Sequence, residues 1–330
     1  MKNARFRRSL AVGLALVGAV ALGGCGTGTG GRALPTGNAQ LPAGHPGTGK
    51  PAVTIGDKNF TEQYILGELY AQALRAKGYT VHLKADIGSS KVIDPVLTRG
   101  GIDLYPEYTG VIDSALADLS SLTAPGAPGV ITSAPRSAAA AYHQAADFES
   151  HRGFTLLNPT PFQNADRVAV TPAFAKAHGL ATMADLKKLS SFTYGAPPEN
   201  RTRYEGLLGM KRVYGLTHAK FVSEPIGAQY RALAGGKVDT IAVFTTDGQL
   251  SRGGYAVLTD PKRIFGFQNV APVVNKKVLA REGPQFAQTL NAVSATLTTK
   301  AIQTMNAAVD LDHMSPKEVA RRFLNAHVLA

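Results

Sequence analysis

The stretch that decides the fold is residues 52–84, AVTIGDKNFTEQYILGELYAQALRAKGYTVHLK. It opens with a short apolar, partly β-branched run, Ala52 to Ile55, followed by the polar turn Gly56-Asp57-Lys58-Asn59 and then Phe60. From Thr61 to Lys77 the apolar residues Ile65, Leu66, Leu69, Ala73 and Leu74 recur at helical spacing, and Gly78 stops the run. Tyr79, Val81 and Leu83 then alternate with Thr80, His82 and Lys84, the period of a strand. Strand, turn, helix, strand predicts an α/β domain with a largely parallel sheet, whose ligands sit at the carboxyl ends of the strands.

The pattern continues outward from there. Ser89 or Ser90 is a natural N-cap for a helix over Lys91 to Thr98, leaving amide donors at the helix start. Gly100-Gly101 and a strand Ile102 to Tyr105 follow. Ser120 to Pro135 reads as a loop, Ser137 to Arg152 as a helix and Phe154 to Leu157 as a strand. Asn158-Pro159-Thr160-Pro161 is a rigid place for the chain to cross between domains. Strands Arg167 to Thr171, Phe192 to Ala196 and Thr240 to Phe244, with helices Met183 to Leu189, Arg203 to Val213 and Gly227 to Ala234, make a second α/β unit. The chain returns through Thr245-Thr246-Asp247-Gly248 into a strand Ala256 to Leu258 and helices Gln285 to Ala308 and Pro316 to Ala326. The expected organisation is therefore one lobe from 51–160 with 249–330 and a second from 161–248, which suits the 330 residues of the chain.

The N-terminus carries a different signal. Lys2, Arg5, Arg7 and Arg8 precede an uncharged run from Ser9 to Gly24, the pattern of a secretory signal peptide over 1–24. That run is shorter than the roughly 20 residues a membrane-spanning helix needs. It ends in Leu22-Gly23-Gly24-Cys25, similar to the lipobox of bacterial lipoproteins, in which the Cys is lipidated; Cys25 is the chain's one cysteine. Residues 25–50, dominated by Gly, Thr and Pro, read as a flexible tether. Gly44-His45-Pro46-Gly47-Thr48-Gly49-Lys50 matches a phosphate loop formally, but Pro51 stands where Ser or Thr is needed, and no strand or helix flanks it. Lys2, Arg5, Arg7 and Arg8 supply four of the formal +12 charges, and the remaining basic residues are scattered among acidic ones, which reads as a solvated surface and not a nucleic-acid site.

Four ordered segments make the reading specific: Gly56-Asp57-Lys58-Asn59-Phe60-Thr61-Glu62-Gln63, Gly88-Ser89-Ser90, Asp103-Leu104-Tyr105-Pro106-Glu107-Tyr108-Thr109-Gly110 and Phe244-Thr245-Thr246-Asp247-Gly248. Together they resemble the substrate-binding proteins of osmoprotectant ABC importers, the glycine betaine/carnitine/choline-binding group. The resemblance implies a periplasmic-binding-protein type 2 fold, two α/β lobes closing on a ligand like a Venus flytrap. It also implies no catalysis and no cofactor, a monomer on a lipid anchor, and delivery of a small osmolyte to a permease with a cytoplasmic ATPase.

A quaternary ammonium donates no hydrogen bonds and is held by aromatic faces, while a betaine carboxylate needs Lys, Arg or helix-terminal amides. By resemblance Lys58 and Arg201 match the carboxylate side and Tyr108 a wall of the aromatic cage. Asp166, Phe244 and Gln268 stand where cage aromatics are expected, and Val111 replaces a Thr, so Tyr108 and Phe244 remain as walls. Phe60 and Tyr64 flank a helix start as ligand contacts or as packing, and Tyr204 and Tyr230 sit on helices with the same two readings. Asn59, Thr61, Ser89, Thr109 and Asn164 complete the expected ligand set, with Thr245 and Thr246 at the ligand or the hinge. The incomplete cage also suits a neutral polar or aromatic cargo. For an enzyme there is no HExxH, GxSxG or paired-Cys pattern and no metal spacing among the His; Glu62 reads as a helix first-turn charge and Glu107 as a loop surface group.

Overall fold

The computed structural model describes residues 33–36, 39–116 and 135–329. The expected signal peptide, Cys25 and the loop at 120–134 lie outside the described residues.

Two five-stranded sheets are built alike. The first joins β1 (Val53–Gly56), β2 (Val81–Lys84), β3 (Leu104–Tyr108), β4 (Phe154–Leu156) and β10 (Val270–Asn275) in the order β2-β1-β3-β10-β4. The second joins β5 (Asp166–Val170), β6 (Phe192–Ala196), β7 (Ala219–Ser223), β8 (Thr240–Phe244) and β9 (Ala256–Leu258) in the order β7-β6-β8-β5-β9. In each, four strands run in the same direction and one crossover strand, β10 or β5, runs antiparallel between its two neighbours. The sheets are thus mixed where a largely parallel pattern was expected.

Helix α1 (Thr61–Ala76) has the apolar stripe that its spacing predicts: Ile65, Leu66, Leu69 and Leu74 are fully buried. They pack against α4 (Pro284–Thr296) and α6 (Pro316–His327) through Phe286, Leu290, Ala320 and Leu324. Each such side chain contributes about 1.5–3 kcal/mol on leaving water. Helices α2 (Ser90–Thr98) and α3 (Ala138–His151) cover the other face, where Arg152 joins Asp94 and Glu149 in a part-buried ion-pair cluster. The helix expected over 285–308 is two, α4 and α5 (Thr299–Asp310), broken at Leu297, with the Thr298 hydroxyl accepting from the Ala301 amide to start the second.

Two boundaries differ from expectation. β9 pairs with β5, and Ile264 and Phe265 are buried in the second core, so the chain leaves the second sheet around Gly266–Asn269 and not at Gly248. At Gly248 it only touches the first body, where a Cβ would lie 2.5 Å from the Cα of Ala307. The tether expected over 25–50 is packed where it is described. Pro42 and Gly47 are buried, the Gly47 amide donates to the Lys77 carbonyl at 3.0 Å, and Leu34 packs against the first sheet's outer core. The docking relies on backbone: a Cβ on Gly47 would sit 2.4 Å from Tyr79, so a Gly-rich composition here permits contact rather than freedom. The phosphate-loop look-alike is the same turn, its amides spent on Lys77, His45 and Gly47 carbonyls.

Candidate functional site

The parallel strands β1, β2 and β3 end on one edge, and there the first lobe offers Lys58, Asn59 and Phe60 after β1, Ser89 and Ser90 at the start of α2, and Tyr108 at the end of β3. In the second lobe β8 ends at Phe244, and antiparallel β5 begins at Asp166, paired with Phe244 in register, so both side chains reach the same edge. The two edges face each other across a cavity of about 110 Å³.

Its floor is an ion pair. Lys58, 3 % exposed, donates from Nζ to Glu107 Oε1 at 2.5 Å and to Ser90 Oγ at 3.1 Å. The same ammonium lies 4.2 Å from the Tyr108 ring centroid and 5.7 Å from that of Phe60. Burial pushes the lysine pKa down, and Glu107 opposes that. Glu107 is fully buried and not a loop surface group, and its second oxygen has no hydrogen-bond partner.

The rings are held by their polar ends. The Tyr108 hydroxyl donates to Glu62 Oε1 at 2.7 Å and accepts from Gln63 Nε2 at 3.2 Å, and burial drives its pKa far above the usual value. Glu62 also accepts from Asn164 at 2.9 Å and Asn306 at 3.3 Å, so this first-turn carboxylate is a buried junction. Phe60 and Tyr108 stand nearly parallel, 24° apart with centroids 6.2 Å apart, and Phe244 lines the same cavity. Opposite them, Asp166 accepts from Asn200 at 3.2 Å, and burial raises its carboxyl to about 7. Gln268 enters at the crossing between lobes, 4 % exposed, its Oε1 without a partner.

Of the sequence-predicted residues, Lys58, Asn59, Phe60, Ser89, Tyr108, Asn164, Asp166, Phe244 and Gln268 line this cavity, and Thr61 and Thr246 line the space beside it. The others do not. Arg201 stacks on Phe221, 5.5 Å from its centroid, and Arg203 lines the cavity in its place, two residues on along the same irregular turn. Tyr204 is 45 % exposed. Tyr230 is buried, donating to Asp247 at 2.5 Å and packing edge-on against Tyr255. Thr109 donates to the Phe267 carbonyl, and Thr245 to that of Gln163, both securing the crossing segments. Ser90, Glu199, Arg203 and Ile226 were not foreseen; Arg203, the next cation in Arg201-Thr202-Arg203, was open to the same charge argument as Arg201.

A cavity lined by three rings, by Lys58 from one lobe and by Arg203 and Asp166 from the other is suited to a small charged solute. The model of the family described as the substrate-binding domain of ABC-type glycine betaine transport systems matches residues 51–326. The chain belongs to this family. A glycine-betaine-binding protein of Pseudomonas aeruginosa is 32 % identical over 83 % of this chain and 88 % of its own. The glycine betaine-binding protein YehZ of Escherichia coli is 28 % identical over 82 % of this chain and 89 % of its own. The apo structure of YehZ superposes with a TM-score of 0.62 at 27 % identity, covering 83 % of this chain and 98 % of that one. The chain is accordingly a solute-binding protein of an ABC importer with the two-lobed type 2 binding-protein fold, working outside the cytoplasm with a permease. Among the described residues no helix is long and apolar enough to cross a membrane, and no group of three or more His, Cys, Asp or Glu could hold a metal.

Proposed function

We propose that this protein captures glycine betaine or a closely related quaternary ammonium osmolyte between its lobes and hands it to its permease. The observation that carries the reading is the pair of near-parallel rings, Phe60 and Tyr108, already holding an ammonium, that of Lys58, 4.2 Å from the tyrosine centroid. Aromatic faces hold cations at about 0.5–2 kcal/mol per contact, and Glu107 offsets the Lys58 charge that would otherwise repel a ligand cation. The trimethylammonium group lies against Phe60, Tyr108 and Phe244, with Asp166 supplying the opposite charge. The carboxylate turns to Arg203 and the Ser89-Ser90 start of α2. Lys58 is partly spent on Glu107, so it polarises this end more than it clasps it. The incomplete-cage alternative, a neutral polar or aromatic cargo, loses ground because Phe60 supplies a third ring. Signal cleavage ahead of Cys25, lipidation of that residue, a monomeric state and a cytoplasmic ATPase partner complete the proposal.

Isothermal titration calorimetry of the full chain with glycine betaine, choline, carnitine and proline betaine tests it. Binding in the micromolar range or tighter, about −8 kcal/mol, is expected for at least one, with Tyr108→Ala weakening it about tenfold. Unchanged affinity in Tyr108→Ala retires the quaternary-ammonium cargo.

A further inference from the structure

Glu62 is 2 % exposed and does not line the aromatic cavity, yet it holds two residues that do. Its Oε1 accepts from the Tyr108 hydroxyl at 2.7 Å and from Asn164 Nδ2 at 2.9 Å, and its Oε2 accepts from Asn306 Nδ2 at 3.3 Å. Three donors on two oxygens are the pattern of a carboxylate acting only as an acceptor. Among the described residues no Lys, Arg or His lies within ion-pair distance of it. A buried carboxylate held by neutral donors alone is costly to keep, so packing does not account for an acid at this position.

The three donors differ in what they do. Asn164 lies between β4 and β5, and its backbone amide donates to the Gln268 carbonyl of the returning segment at 3.0 Å. Asn306, on α5, also donates to the Thr246 carbonyl at 2.8 Å, just after β8. These two side chains, from separate elements, fix the carboxylate. The third donor, Tyr108, is the one whose ring lines the cavity. Its hydroxyl accepts from Gln63 Nε2 at 3.2 Å, so its own proton is directed at Glu62 and the far end of the ring is pinned. A phenol that donates to a carboxylate is also polarised by it, because hydrogen-bonded groups strengthen one another in a low-dielectric interior. Since a ring attracts a cation electrostatically, a more electron-rich ring attracts it more strongly.

We propose that Glu62 is a positioning residue of the cation site: held by Asn164 and Asn306, it fixes the Tyr108 ring and enriches it in electrons, and so raises the affinity for a quaternary ammonium that it does not touch. The inference rests on the cage reading and deepens it.

A double-mutant cycle on the full chain, Glu62→Gln and Tyr108→Phe singly and together, tests this by titration calorimetry with tetramethylammonium. Tyr108→Phe keeps the ring and removes only the hydroxyl that joins it to Glu62. Each single variant is expected to weaken binding about tenfold, and Glu62→Gln is expected to change it by less than about twofold when Tyr108→Phe is already present. Urea unfolding of the same four proteins reads stability separately; a purely structural role lowers stability and weakens binding by the same factor on both backgrounds, and that result overturns the proposal. Unchanged affinity in Tyr108→Phe overturns it as well, and this variant decides alone if Glu62→Gln does not fold. Binding that is lost in Tyr108→Ala, with a cycle that is additive, overturns the role of Glu62 and leaves the cage standing. Silence of tetramethylammonium and glycine betaine alike, from the folded unsubstituted chain, overturns both.

Discussion

Lys58 and Glu107 show how a site residue can be right in position and different in role. A lysine with 3 % exposure is a liability unless a carboxylate accompanies it, and Glu107, 2.5 Å away, is that carboxylate. Breaking such a pair from one side typically costs about 3–5 kcal/mol, because a buried charge is left alone. Glu107→Gln is therefore expected to lower the unfolding free energy by up to about 3 kcal/mol, the lower end of that range because Lys58, its pKa already pushed down by burial, can shed its proton. The double variant Lys58→Met, Glu107→Gln should recover part of the loss; urea titrations of the three proteins measure both effects, and a stable single variant refutes the argument. The lysine was legible from its motif, but its partner was not. Glu107 was read from its sequence neighbours as solvent-facing, and only the pairing of β1 beside β3 brings it under Lys58. Arg201 and Arg203 show the same limit at finer grain, since charge selects the Arg-Thr-Arg run and the irregular turn selects which cation faces the cleft.

At the scale of elements, strands and helices with clean periods were legible, the crossover strand β5 among them, and the crossover strand β10 was not. β10 is Val-Ala-Pro-Val-Val-Asn, and Pro272 reads as a strand breaker; Pro106 likewise cut the expected strand short at Tyr105, although β3 runs on to Tyr108. In the sheet the two prolines face each other across the β3–β10 pair, a register that no single segment reveals. This pairing matters for the site because the segment entering β10 carries Gln268. Gly110 lets it approach: a Cβ there would lie 2.6 Å from Gln268 Nε2 and 2.7 Å from the Phe267 carbonyl. Gly110→Ala must push the crossing segment away, at about 1–3 kcal/mol of overpacking. The expected outcome is a lower unfolding midpoint together with weaker ligand binding, whereas Gly100→Ala, at a positive-φ site with no atom within 4 Å, should leave binding as it is. Loss of stability with unchanged affinity in Gly110→Ala would separate the crossing from the site.

Over the whole molecule, buried acids that lack a full charge partner set the response to pH. Asp57, Asp166 and Asp247 are raised to about 7 and Asp113 and Glu149 to about 8, burial being the largest cause for each. In the unfolded chain these groups release their protons near pH 4. Between about pH 4 and pH 8 the folded state therefore binds more protons than the unfolded one, and stability falls as pH rises across that window. The contribution is fully present below the unfolded values and gone above the folded ones. Asp185 and Glu318, whose pKa values are lowered by their hydrogen bonds to Lys188 and to Arg321 and Arg322, act in the opposite sense only below pH 4. Urea unfolding at pH 6 is thus expected to give a larger free energy than at pH 8, and Asp113→Asn, whose two oxygens have no hydrogen-bond partner in the described structure, should reduce the difference. Cation capture has the reverse slope. Asp166 attracts a quaternary ammonium only when ionised, so affinity should rise from pH 6 to pH 8 while stability declines, and Asp166→Asn should flatten the affinity profile without flattening the stability profile to the same degree. Parallel slopes for affinity and stability would remove Asp166 from the cation's side of the cleft.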